Sequence, residues 1–212
     1  MTVHHHPSDL VLLDHAAGRL ARGPAMLINV HLSVCPACRA AAAGFEALGG
    51  ALLEDLPPSQ MAPDALDLAL ARIERPAPDA PPPRPISTPA GIDLTEALHG
   101  LPLGGRRWLA PGIWMRPVLR EGRSVTYLLR SGPGKRLPRH SHLGEEYVCV
   151  VKGAFFDETG HYAAGDFAQS DDELTHSPQT DPDGECICLI SAEGPMRMFE
   201  PIARALQPLF GL

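Results

Sequence analysis

The stretch that decides the fold is "GPGKRLPRHSHLGEEYVCVVKG", Gly132 to Gly153. Within it Gly134 is followed after five residues by His140-Ser141-His142, after three more by Glu146, and after six more by Gly153. Residues two apart on a strand share a face, so His140 and His142 point to the same side. The Leu143-Gly144 break then starts a second strand that can bring Glu146 to the same pocket, and a later His176, in "DDELTHSP", can complete the set. A surface strand that merely happens to carry two histidines and a glutamate is a poor account of three residues at this spacing. For His99 and His161 the surface account is the better one.

Outward from this stretch, short β-rich runs alternate with turn signals. "IWMRPVLR", "SVTYLLR", "EYVCVVKGAFF", "DFAQS", "CICLISA" and "MRMFEPI" are punctuated by "SGPG", "DETG" and "DPDG". Short strands at such spacing predict a β-sandwich or barrel. Cys186 and Cys188 alternate like inward residues of one strand, either core or lining of the pocket, and Cys149, flanked by valines, belongs to the core.

The histidine and glycine series resembles the first metal-binding motif of the cupin superfamily, with its spacing complete. That resemblance implies a small jelly-roll barrel holding a divalent metal on His140, His142, Glu146 and His176. The second cupin motif departs from the pattern: "HYAAGD" lacks the usual proline, and His176 lies eleven residues after Gly165, farther than the family has it. Asp171, Asp172 and Glu173 are therefore local rivals for the fourth place.

Upstream, "ERPAPDAPPPRPISTPAG", Glu74 to Gly91, denies any helix its amide donors and favours an extended spacer. It divides the chain into residues 1–75, a proline-rich linker over 76–91, and residues 92–212. The first part reads as helical. Ser8 or Asp9 caps a helix with Leu10, Leu13, Ala17 and Leu20 on its apolar side. A second helix runs from Pro24 to about Leu32, a third from Pro36 through Leu53. A fourth, over 64–75, carries Leu66, Ala69, Leu70 and Ile73 on one stripe and is stopped by Pro76. That stripe either docks on its own domain or is held out for another protein.

Between the second and third helices, "HLSVCPAC" sets His31 one helical turn before Cys35, and Cys38 closes a CxxC turn, so the three can converge on one ion. A tetrahedral site needs a fourth ligand. His6, separated from His31 by twenty-four residues, is the candidate, with His4 and His5 as substitutes, while His15 reads as a helix-surface residue. Thiolate and imidazole donors suit Zn²⁺ better than Mg²⁺ or Ca²⁺. Against this stand a solvated histidine tail, a redox pair, for which the βαβ setting is missing, and plain buried cysteines.

Composition narrows the field further. The chain has 212 residues, a net charge of −7, and five cysteines, an odd number that argues against a disulfide framework. Its beginning lacks a basic start followed by an apolar run, so no signal peptide is expected and the cytoplasm is the expected location. No stretch is long and apolar enough to span a bilayer. Residues 1–75 carry five arginines and no lysine against eight carboxylates, a net of −3 that opposes binding to nucleic acid.

Taken together, His6, His31, Cys35, Cys38, the "AAG" after the first helix, the proline-rich linker, the barrel motif and "CICL" resemble the ChrR-type zinc-binding anti-sigma factors over essentially the full length. The resemblance implies a small all-α zinc-binding domain followed by an all-β cupin (jelly-roll) barrel. It implies structural zinc on His6, His31, Cys35 and Cys38, and a divalent metal, zinc foremost, in the barrel. It also implies binding of an extracytoplasmic-function sigma factor through residues 1–75, including helix 64–75, which keeps that factor from core RNA polymerase. Release follows oxidants such as singlet oxygen or organic peroxide. The chain is then a cytoplasmic regulatory metalloprotein, without catalytic residues, direct nucleic-acid contact or membrane attachment. The alternative is a metal-dependent cupin dioxygenase or isomerase with an accessory zinc domain; a small-molecule sensor without a protein partner ranks last.

Overall fold

The computed structural model describes residues 2–74, 91–94, 97–98, 100–201 and 204. Among the described residues, four helices precede the strands. The first, α1 (Asp9–Ala16), is capped by Ser8, whose side-chain oxygen accepts from the Val11 amide. Its buried residues are Val11 and Leu12, whereas Leu10 and Leu13 are exposed, which corrects the face expected from the apolar spacing. Eight residues make barely two turns, too few for a helical period to fix a face against the pull of tertiary contacts.

The second helix, α2 (Arg22–Val34), starts before Pro24, which sits in its first turn where a missing amide costs nothing. Cys35 ends α2 and caps α3 (Pro36–Glu54): its backbone is extended, as the residue before a proline is driven to be, and Pro36 opens the next helix. Thus the sequence "CPAC" builds a sharp corner with both thiols at it. The last helix, α4 (Ala65–Ile73), buries none of its residues. Arg75 and the linker positions 76–90 lie outside the described residues, as does His99.

Every strand pairing is antiparallel. The large sheet contains β1 (Arg107–Ala110), β2 (Ile113–Glu121), β3 (Ser124–Ser131), β5 (Glu146–Lys152), β8 (Phe167–Ser170) and β11 (Cys186–Glu193), in the order β1-β2-β3-β11-β5-β8. Facing it are β6 (Ala154–Asp157), β7 (Gly160–Ala163) and β10 (Gln179–Thr180) in one small sheet. Another contains β4 (His140–Ser141), β9 (Thr175–His176) and β12 (Arg197–Met198). The expected runs contain strands, although "EYVCVVKGAFF" breaks at Gly153 into β5 and β6 and "MRMFEPI" is extended, among its described residues, only at Arg197–Met198. The strand expected at His140 is β4, whereas β1 and the short β7, β9 and β10 had no sequence signal strong enough to single out.

The cores explain why "SVTYLLR", "EYVCVVK" and "CICLISA" are apolar without alternation. One face of the large sheet, with Met115, Tyr127, Leu129, Val150, Cys186, Cys188 and Ile190, fills the barrel together with Phe155 and Tyr162. The other face, with Leu128, Cys149, Val151 and Leu189, is covered by Leu27 and Ile28 of α2 and by Ile92, Leu94 and Leu98. A sheet buried on both sides loses the in-out alternation of a solvated one. The helices and the outside of the barrel therefore share one core.

Candidate metal centres

Two clusters gather the titratable residues that the sequence singled out. In each, the ligand atoms lie within 4.8 Å of one another. The first contains His6, His31, Cys35 and Cys38; the second, inside the barrel, contains His140, His142, Glu146 and His176. His4 and His5 lie outside the first cluster, and Asp171, Asp172 and Glu173 lie outside the second. Asp171 instead closes its own turn, accepting from the amides of Glu173 and Leu174.

In the first cluster the corner at Cys35 sets the thiols: the Cys38 amide donates to Cys35 Sγ at 3.5 Å, and His6 Nδ1 lies 3.4 Å from Cys35 Sγ and 3.3 Å from Cys38 Sγ. His31 is fully buried on the last turn of α2 and donates from Nδ1 to the carbonyl of Gly165 at 2.8 Å. Its Nε2 is consequently a bare lone pair, buried and without a hydrogen-bond partner among the described residues. Burial first, then the hydrogen bond and charge of Cys35, push the Cys38 thiol up to about 12. A cation reverses that balance, because a coordinated thiol is deprotonated outright.

The second cluster is built by strand register. His140 stands opposite His176 across the β4–β9 pair, and Glu146 opens β5. His140 Nδ1 donates to the carbonyl of Pro138 and His176 Nδ1 to the carboxylate of Asp157, both at 2.8 Å. Both acceptors can only accept, so both Nε2 atoms carry lone pairs, yet these face each other at 3.2 Å. Two converging lone pairs repel unless a positive charge lies between them. His142 Nε2 is 3.1 Å from His176 Nε2 and 3.4 Å from Glu146 Oε2. Burial chiefly holds His140 down to about 4 and His142 to about 3, and lifts Glu146 to about 7. At neutral pH the His140 and His142 imidazoles are neutral, the form that ligates a metal.

His140, Glu146 and His176 lie on the wall of a cavity of about 520 Å³ lined mainly by apolar side chains such as Leu129, Val148, Phe155 and Met198. Cys186 and Cys188 also line it, with their sulfurs 3.5 Å apart, so core and lining, left open in the sequence, are both true. Cys149 belongs to the core on the far face of the sheet. His161 is exposed beside Asp181, as expected, but His15 is half-buried beside Asn29, because the opposed helices close over it.

Asp157 and Asp166 were missed in the sequence. "DETG" reads as a turn and "HYAAGD" as part of the cupin pattern, and a turn aspartate usually bonds its own backbone; nothing local marks one that reaches another element.

Comparison with known proteins places this geometry among relatives. Residues 106–196 match the family described as the ChrR cupin-like domain. The chain is 34% identical over 220 residues to the anti-sigma-E factor ChrR of Cereibacter sphaeroides, covering 99% of both. It is similar, with a TM-score of 0.77 and 32% identity, to the chain in the crystal structure of Rhodobacter sphaeroides SigE in complex with the anti-sigma ChrR, covering 90% of this chain and 100% of that one.

Proposed function

The chain belongs to the ChrR family of anti-sigma factors, and from that premise we propose that it sequesters an extracytoplasmic-function sigma factor from core RNA polymerase, in the cytoplasm. Its role is regulatory, not enzymatic. In this reading residues 1–75 are the binding unit, 76–91 the linker and 92–212 the unit that senses oxidants such as singlet oxygen or organic peroxide and prompts release. His6, His31, Cys35 and Cys38 hold zinc in a closed, structural site, as two thiolates and two imidazoles suit that ion. His140, His142, Glu146 and His176 hold a second divalent ion, for which zinc is again the choice. Among the described residues no helix is long and apolar enough to cross a membrane.

The observation that carries the reading is the apolar surface of the third and fourth helices. Leu48, Leu52 and Leu53 at the end of α3 are exposed, and on α4 Leu66 is 67% and Ile73 79% exposed. Apolar surface of this extent on a helix without a partner marks a protein interaction site. The net −3 of residues 1–75 suits a basic partner and speeds its approach.

The test is affinity purification of the full chain from its host, with mass spectrometry of what co-elutes. A sigma factor recovered near one-to-one with wild type and lost with Leu66→Asp/Leu70→Asp is the expected result. Because α4 buries nothing, that double variant is expected to unfold within about 0.5 kcal/mol of wild type. No sigma factor with either protein would sink the reading. Zinc is checked by elemental analysis of the purified chain, and oxidant-driven release by exposing the complex to an organic hydroperoxide.

A further inference from the structure

Resting on the reading that His6, His31, Cys35 and Cys38 hold a metal ion, we infer that the turn between β7 and β8, Gly165 to Phe167, is the outer support of that N-terminal site. Metal binding there and docking of the helices on the barrel are then one coupled equilibrium. All four donors come from residues 6–38, but the barrel holds two of them in place. The cysteines are set by the α2–α3 corner. The two histidines are held by the barrel.

His31 is oriented by its bond to the Gly165 carbonyl, which fixes the tautomer and aims Nε2 at the cluster, and the Phe167 ring meets the imidazole edge-on with centroids 5.9 Å apart. Gly165 has φ +96°, a backbone that a side chain would strain, so the turn that presents this carbonyl requires glycine.

His6 is approached through the chain before it. Asp166 is 1% exposed, and its Oδ1 accepts the amides of His4 at 2.7 Å and His5 at 3.0 Å, while Oδ2 accepts the amide of Ala163 at 2.9 Å. The Phe167 amide donates to the His5 carbonyl at 3.1 Å, and the His5 ring packs on Tyr162 at 4.4 Å. One buried carboxylate thus pins residues 4 and 5 to the barrel, and through them the backbone that presents His6. A buried charge is tolerated only where such bonds satisfy it. Outer partners of metal ligands typically govern affinity by roughly 10- to 100-fold, and any such coupling is reciprocal. Displacement of this turn by a change inside the barrel loosens half the donor set of the site beside the partner-binding helices.

The experiment uses the full chain loaded with Co²⁺. Thiolate-to-cobalt charge transfer reports the N-terminal site alone, since Cys186 and Cys188 lie outside both clusters, and chelator competition gives its affinity. For Asp166→Ala the expected result is a loss of roughly tenfold or more at the N-terminal site with a shifted thiolate band, and no more than about a twofold change at the barrel site. Asp166→Asn, which keeps one acceptor, is expected to fall between. Unchanged N-terminal affinity, or equal losses at both sites, would overturn the inference. A second measurement does not depend on that variant: in Cys38→Ser, hydrogen exchange at the amides of His4, His5 and Phe167 should speed up while β3 and β11 stay protected, and unchanged exchange counts against the coupling. Absence of any thiolate band in wild type would overturn the metal reading itself and this inference with it.

Discussion

At the scale of single residues, the barrel cluster depends on groups that touch no ion. Asp157 accepts from His176 Nδ1 and from both the amide and hydroxyl of Thr159, which hold its carboxyl below its ordinary range even though burial alone would raise it. Asp157→Asn can present a donor to His176 and invert its tautomer, so metal affinity at the barrel site is expected to fall by roughly 10- to 100-fold with the N-terminal site unchanged, as read by chelator competition. The pH response follows from the same pocket in protein stripped of metal. Between pH 6.5 and 4.5 the unfolded chain carries protons on His140 and His142 and none on Glu146, whereas the folded chain holds one on Glu146 and none on those histidines. Unfolding takes up one net proton, so stability falls as pH drops, by about 1.4 kcal/mol per pH unit. The urea midpoint is expected to be lower at about pH 5 than at neutrality; a midpoint that does not move, or rises, would contradict this assignment of protons.

At the scale of elements, α2 lies against the large sheet by virtue of Gly23. A Cβ there would stand 2.4 Å from the Thr126 hydroxyl and 2.5 Å from that of Ser191, both fully buried on β3 and β11. Gly23→Val is expected to lift the start of α2 and cost about 1–3 kcal/mol of unfolding free energy, as overpacking does, with part of the loss recovered by adding Thr126→Ala and Ser191→Ala. Loss of stability that the added alanines leave untouched would show that the contact is not what holds α2. The fourth helix is the opposite case. Its sequence stripe is as regular as any in the chain, and nothing in the described fold covers it.

At the scale of the whole molecule, the helices and the barrel exterior share a core in which Leu27, Ile28, Leu94, Cys149 and Leu189 are among the most deeply buried residues. The two tryptophans, Trp108 and Trp114, lie on β1 and β2, so fluorescence reports the barrel, while helical circular dichroism reports α1 to α4. A shared core predicts coincident unfolding midpoints by the two probes. A helical transition well below the tryptophan one would show that the two parts melt separately.

The class of every long element and both metal-capable clusters were legible in the amino-acid order alone. Ligand chemistry is local: an H-x₃-C-x₂-C turn or an H-x-H strand puts its donors together wherever it folds, and the partners of His6 and His176 follow once a return path exists. The full-length resemblance named the family on the same residues. How the parts lean on one another came from the folded chain: the inward side of α1, the half-burial of His15, the roles of Asp157 and Asp166, and the packing of α2 on the outside of the barrel. Each of these depends on residues far apart in the chain, such as His4 and Asp166, meeting at hydrogen-bond distance. No local period or motif encodes such a meeting, because it is set by how whole surfaces fit when apolar area is buried between them.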